Sequence, residues 1–120
     1  MATMNTVIEY IDRVKPNAFS NDDKYKWINA LEGLVCREVT GDEPPEYNLP
    51  EDADTPLLVG MPYDDIYHLY VSAMIDLYNR EYNDYNNTVL VFAERMDQYK
   101  AQYIRTHRTS KAKNFRNVMG

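Results

Sequence analysis

The residue types that could form a catalytic or metal site are few and widely spaced in this chain. Asp65-x-x-His68 has the spacing of half a di-iron helix motif, which requires a second carboxylate-x-x-His helix and two further glutamates. His107 lies near the C-terminus, and Glu94-x-x-Asp97 contains no histidine. All four glycines are isolated, so the sequence has no glycine-rich phosphate loop. We therefore expect no enzyme activity, no metal site and no cofactor, and we expect His68 to be an exposed or hydrogen-bonded helix residue.

The single cysteine, Cys36, follows Val35 within a helical pattern. This position favours a buried structural thiol over a nucleophile. One cysteine cannot form an internal disulfide, which favours a reducing compartment. No apolar run approaches the ~18–20 residues that span a bilayer, and the first residues lack the basic start and apolar stretch of a signal peptide. We expect no membrane association.

The apolar periodicity predicts an all-α bundle of about four helices. The first covers Thr6–Val14, with Thr6 and Glu9 at capping-box spacing. The second starts after Ser20 and stops at Gly41. The third begins near Pro62 and is apolar on two faces as far as Tyr78, which is typical of a helix in the middle of a bundle. The fourth spans roughly Tyr82 to Ile104. The residues predicted to be mostly buried in this one bundle are Trp27, Leu31, Leu34, Leu77, Val89, Phe92 and Met96.

Residues 41–62, between the second and third helices, contain five of the six prolines and six acids between Asp42 and Asp54. Proline removes backbone donors and fixes φ, so this segment is predicted to be a long loop rather than helix or central strand. For residues 42–56 we expect few internal contacts and high mobility without a partner.

The net charge of −6 is divided unevenly along the chain. Residues 1–104 hold all 19 acids and eight of the 13 basic residues, a net charge of −11. An acidic body argues against duplex DNA as the main ligand, because phosphate contacts need a basic face. The last 16 residues hold five basic residues and no acid. We expect a domain over residues 1–106 and a flexible basic tail over residues 107–120.

The predicted partner-binding residues fall into two sets. The tail could dock on an acidic protein surface, with two apolar side chains adding contacts, or it could bind nucleic acid. The residues of this first set are Arg105, Arg108, Lys111, Lys113, Phe115, Arg116 and, more weakly, Val118. Eleven tyrosines against three phenylalanines suggest ordinary half-buried packing or a protein interface. The tyrosines proposed for a subunit interface are Tyr67, Tyr70, Tyr78, Tyr99 and Tyr103.

The order of these segments resembles the head–tail connector (adaptor) proteins of tailed phages and prophages of Gram-positive bacteria. The similarity covers about residues 5–105 and rests on order and spacing. It includes Ser20-Asn21-Asp22-Asp23-Lys24-Tyr25-Lys26-Trp27, Pro62-Tyr63-Asp64-Asp65-Ile66-Tyr67 and Glu81-Tyr82-Asn83-Asp84-Tyr85. The resemblance implies a helical, non-enzymatic virion protein that assembles as a homo-oligomeric ring beneath the portal.

The implied partners are the portal protein and a stopper or tail protein. The implied location is the head–tail junction of the virion, and the cytoplasm of the bacterial host during assembly. A connector needs no stable nucleic-acid binding. The alternative function is a small helical DNA-associated or regulatory protein that uses its basic tail.

Overall fold

The computed structural model describes the backbone of residues 2–119 and the side chains of residues 2–107. The elements are α1 (Met4–Val14), α2 (Asn21–Val35), a π-helical turn (Cys36–Thr40), α3 (Asp65–Tyr78) and α4 (Tyr82–Met119). No strand occurs over residues 2–119, and the prediction of an all-α fold with four main helices is confirmed. In the part of the chain that was searched, no helix has the length and apolar character to cross a membrane.

Helix α3 occupies the centre of the bundle. It packs against α1, α2 and α4, whereas α1 and α4 make no contact with each other in the described chain. Its buried side chains point in several directions, as its two apolar faces predict; they are Ile66, Tyr67, Val71, Ala73, Ile75 and Asp76. Helices α1 and α4 therefore lie on different sides of α3.

The start of α1 differs from the prediction by one helical turn. The N-cap is Thr3, whose hydroxyl accepts from the Thr6 N–H, while the Thr6 hydroxyl accepts from the Thr3 N–H. Thr6 is therefore the third helical residue of a capping box and not the cap itself. The earlier start buries Met4, which the predicted boundary left outside the helix.

Helix α2 starts at its predicted cap, since the Ser20 hydroxyl accepts from the Asp23 N–H at 3.2 Å. The helix widens into the π-helical turn and stops at Gly41, which has φ of 75° and donates its N–H to the Cys36 carbonyl at 2.7 Å. Glycine adopts this left-handed conformation without steric penalty. Cys36 is buried and unpaired, as expected of a structural thiol.

The core follows the prediction in part. Of the predicted core residues, Leu31 and Met96 are buried, while Trp27, Leu34, Leu77, Val89 and Phe92 are half-buried. The most buried positions instead come from α1, α2 and α3 together, because α4 packs on one side of α3 and keeps its other side exposed. Phe92 is not largely exposed in the single chain but packs against the core, as predicted.

The proline-rich segment is part of the fold, so the prediction of few internal contacts is wrong. Ala53, Leu57 and Val59 are buried in the core. The Ala53 carbonyl accepts from the Asn5 N–H at 3.1 Å, and the Leu57 N–H donates to the Ala2 carbonyl at 2.9 Å. The prolines prevent helix formation, but the apolar residues between them still reach the core and anchor an irregular chain.

Helix α4 continues beyond its predicted end near Ile104. No proline or glycine occurs between residue 105 and Met119, and basic residues are favourable near a helix C-terminus. The turn predicted near residues 79–84 is confirmed, with Asn79–Glu81 between α3 and α4. The predicted flexibility of residues 107–120 stays a prediction.

The core generates the first testable expectation. Leu31 is fully buried, so Leu31→Ala should lower the free energy of unfolding by about 2–5 kcal/mol through lost apolar contact and a residual cavity. Leu90→Ala, at a position 69% exposed, should change it by less than about 0.5 kcal/mol. Urea unfolding followed by circular dichroism measures both, and equal effects would contradict this placement of the core.

Candidate functional site

A buried carboxylate on α2 organises the segment that leads into α3. Glu32 is fully buried. Its Oε1 accepts from the Tyr67 hydroxyl, and its Oε2 accepts from the Tyr47 hydroxyl at 3.0 Å and from the Leu58 N–H at 3.0 Å. The Tyr67 hydroxyl in turn accepts from the Val59 N–H at 2.9 Å. One side chain thus joins α2, the proline-rich segment and α3.

The same network shifts the acidity of both tyrosines. Burial, followed by the nearby negative charge of Glu32 and the hydrogen bond to it, raises the pKa of Tyr67 far above its ordinary value. The pKa of Tyr47 is raised by the same causes in the same order. Both hydroxyls therefore stay protonated and remain donors to the carboxylate at neutral pH. The network has a structural role, since it ties the proline-rich segment to α2 and α3.

The predicted interface tyrosines separate into three kinds. Tyr67 is buried inside the protein and cannot contact another subunit, so this assignment is wrong. Tyr70, Tyr99 and Tyr103 are half-buried. Tyr78 is 61% exposed although its ring stacks on Trp27 at a centroid distance of 5.7 Å. The sequence could not separate Tyr67 from the others, because all of them lie in aromatic stripes at helical spacing.

The inner face of α4 attaches it to α3 and to the residues that precede α3. Phe92 packs on Tyr70 with a centroid distance of 5.4 Å. Arg95 donates to Asp65 Oδ2 at 2.9 Å and to the Pro62 carbonyl at 2.8 Å, and its guanidinium lies 5.2 Å from the centre of the Tyr63 ring. These contacts hold α4 antiparallel to α3, and the part of α4 beyond Tyr103 extends past the start of α3.

The outer face of α4 carries apolar side chains in contact with solvent. The large exposed ones on α4 are Tyr82, Leu90, Val91 and Ile104. A second set of exposed apolar side chains lies on α1 and the proline-rich segment: Tyr10, Val14, Leu58 and Met61. Because α1 and α4 lie on different sides of α3, these sets form two separate surfaces, here called the α4 surface and the α1 surface.

Of the predicted tail residues, Arg105 lies on α4 with an exposed side chain. The side chains of Arg108, Lys111, Lys113, Phe115, Arg116 and Val118 lie outside the described residues. The proposed role of this set therefore stays a prediction. The backbone of α4 carries these positions in continuous helix from the bundle.

The Asp65-x-x-His68 pair is not part of any group of metal-ligating side chains in the searched part of the chain. Asp65 is engaged by Arg95, and the His68 ring lies 4.8 Å from the Tyr10 ring. Burial lowers the pKa of His68 from its ordinary value, with Asp65 and Asp64 opposing this shift. The imidazole is therefore neutral at pH 7 and packs as an aromatic ring.

Sequence reasoning missed the two buried carboxylates, Glu32 and Asp76. A signal was available for each. Glu32 lies four residues after Ile28 and so falls on the apolar stripe of α2, and Asp76 stands between Ile75 and Leu77 in the most apolar helix. An acid on an apolar helix face indicates a buried, partnered charge.

Comparison of the chain with protein-family models, with curated proteins and with solved structures finds no match.

The Glu32 network yields the second expectation. Tyr67→Phe should lower the free energy of unfolding by about 1–3 kcal/mol, because the buried carboxylate loses a donor and the Val59 N–H loses its acceptor. Tyr78→Phe removes a hydroxyl from an exposed ring and is the matched control. Chemical unfolding gives the stability, and amide exchange at Leu58 and Val59 should quicken only in Tyr67→Phe. Unchanged exchange there would show that the network does not hold the segment.

Proposed function

We propose that this chain is a virion structural protein, a head–tail connector that forms a ring beneath the portal and lets DNA pass between head and tail. The observation that carries the proposal is the presence of the α1 surface and the α4 surface on different sides of α3. The sequence resemblance supports the same structural role.

Two separate apolar surfaces are what a ring subunit requires. In a closed ring each copy uses one surface against one neighbour and a different surface against the other neighbour. We assign the α4 surface of one copy to the α1 surface of the next. Leu90 is 69% exposed and Val14 is 53% exposed, so each offers apolar area that a neighbouring copy could remove from water.

The charge of the body favours DNA passage over DNA binding. Residues 1–104 carry a net charge of −11, and a channel lined by such subunits would repel phosphates rather than retain them. The basic positions are concentrated at the C-terminal end of α4, beyond the part that packs on α3. In the connector hypothesis this end contacts the portal or the next protein of the tail, in the host cytoplasm during assembly and at the head–tail junction afterwards.

A DNA-associated regulatory protein is the second candidate, and one observation favours it. Five basic residues and no acid occur in the last 16 residues, and basic residues at such density could contact phosphates along a groove. This function needs the tail alone, and it gives no role to the apolar α1 and α4 surfaces.

The ring geometry can be tested with two surface variants. Val14→Asp should disable the α1 surface and Leu90→Asp the α4 surface, so neither variant alone should form rings in the presence of portal protein. A mixture of the two retains one intact pair of surfaces and should form a dimer that does not grow. Lys26→Glu, which adds negative charge at an exposed position of α2, should assemble normally.

Size-exclusion chromatography with light scattering distinguishes these species. Normal ring formation by Val14→Asp or Leu90→Asp would contradict the assigned interface. A mixture that stays monomeric would contradict head-to-tail assembly, because a heterologous interface needs only one intact surface from each partner.

The tail separates the two candidate functions. A chain that ends at Ile104 should keep the far-ultraviolet circular dichroism of a folded helical bundle, since the described contacts of the core do not involve later residues. The shortened chain should lose portal binding, or it should bind portal protein weakly and lose affinity further as salt is added. Salt has this effect because exposed charges are screened within ~8 Å at physiological ionic strength. Lys26→Gln is the single-charge control.

Binding to portal protein and to duplex DNA should be measured side by side at several salt concentrations. The connector hypothesis predicts portal binding by the full chain and no retention of DNA at physiological salt. Tight DNA binding that disappears with the tail, together with no portal binding, would reject the connector and favour the regulatory protein.

A further inference from the structure

Three carboxylates meet at the turn between α3 and α4. Asp76 lies in the last turn of α3, Glu81 immediately precedes α4, and Asp84 lies in its first turn. One carboxylate oxygen from each residue lies within 4.8 Å of the corresponding oxygens of the other two. Asp76 is fully buried, whereas Glu81 and Asp84 are exposed, so the group is open to solvent on one side and closed by the protein on the other.

The buried member of the group is incompletely satisfied. Its Oδ1 is bound at 2.5 Å by the ammonium of Lys15, whose side chain is 29% exposed, whereas Oδ2 has neither an ion-pair nor a hydrogen-bond partner among the described residues. A buried carboxylate oxygen without a donor is costly, and the described protein atoms leave Oδ2 available to a further ligand.

The backbone of the turn fixes this arrangement. The Glu81 N–H donates to the Asp76 carbonyl at 2.9 Å, which brings residue 81 back beside the end of α3. Arg80 makes this reversal with φ of 62°, a conformation that is uncommon for residues other than glycine. The Tyr85 N–H donates to the Glu81 carbonyl at 2.9 Å and starts α4, so Asp84, three residues after Glu81, lies on the same side of that helix.

The charges of the group do not balance. Three carboxylates and one ammonium leave a net charge of −2, and Lys15 is the only basic residue that forms an ion pair with any of them among the described side chains. One divalent cation would neutralise the group without displacing Lys15.

We propose that Asp76, Glu81 and Asp84 form a binding site for a hard divalent cation, with Ca²⁺ as the preferred ion. Calcium takes six to eight oxygen ligands at about 2.3–2.6 Å in irregular geometry. Two oxygens that ligate the same calcium ion are therefore at most about 5 Å apart, and the three carboxylate oxygens here lie within 4.8 Å of one another. Water completes the coordination on the exposed side. Bound Ca²⁺ joins the end of α3 to the start of α4 and holds the direction in which α4 leaves the bundle.

The test is calcium titration of the full chain by isothermal calorimetry. We expect one ion per chain with a dissociation constant of about 10⁻⁴–10⁻³ M, the weak end of the range of protein calcium sites, because only three carboxylates contribute. Glu81→Gln and Asp84→Asn each remove a ligand at an exposed position that the fold does not require. Each should weaken binding at least about tenfold, since loss of even an outer-shell partner of a metal ligand has an effect of that size.

Glu94→Gln removes one negative charge from an exposed position elsewhere on α4 and should leave calcium binding unchanged. A rise in melting temperature with added Ca²⁺, larger than with equal Mg²⁺ and lost in Asp84→Asn, gives a second readout. No binding at millimolar calcium would overturn the proposal. Equal weakening by Glu94→Gln and Glu81→Gln would overturn it as well, because it would mean diffuse attraction to an acidic surface.

Discussion

The fold depends on one buried anion, the carboxylate of Glu32. Without a partner, such a charge would cost several kcal/mol in an apolar interior, yet three donors from two other parts of the chain reach it. Because two of these donors belong to the proline-rich segment, the carboxylate gives residues 47–59 a fixed path that their own backbone cannot provide. That path places Leu57 and Val59 in the core and brings the chain to the start of α3. Replacing Glu32 would therefore leave the donors unpaired and the segment without its anchor.

A second consequence concerns α3, which the network holds through Tyr67. Because α3 is surrounded on several sides, most of its side chains are buried or half-buried, and Tyr78 near its C-terminal end is the one tyrosine of α3 that is largely exposed. The outer helices α1 and α4 expose Val14 and Leu90. Helix α1 packs against α2 and α3, and α4 packs against α3 and the π-helical turn.

Helix positions and the all-α class could be read from the sequence, because apolar periodicity and caps such as Ser20 and Gly41 are local signals. The fixed conformation of the proline-rich segment could not be read from the sequence, because it depends on Glu32, which is 26 residues away from Leu58. The composition of the segment alone indicates mobility. The role of Tyr67 was inaccessible for the same reason: periodicity places it on an apolar face but does not show whether that face meets α2 or another subunit. The acidic turn was missed because its carboxylates are brought together by the reversal at Arg80, not by helical spacing.

The turn after α3 also decides how the two outer surfaces are related. Helix α4 leaves the bundle through Asn79–Glu81 and is then held by Arg95, which binds Asp65 and the Pro62 carbonyl near the other end of α3. These two attachments lie at opposite ends of α3, so together they fix the direction of α4 rather than its position alone. In the proposed ring, closure would need a constant angle between the surface offered to one neighbour and the surface offered to the other. The angle between α1 and α4 is set through α3, and the Ca²⁺ proposed at this turn would keep that angle the same in every copy of such a ring.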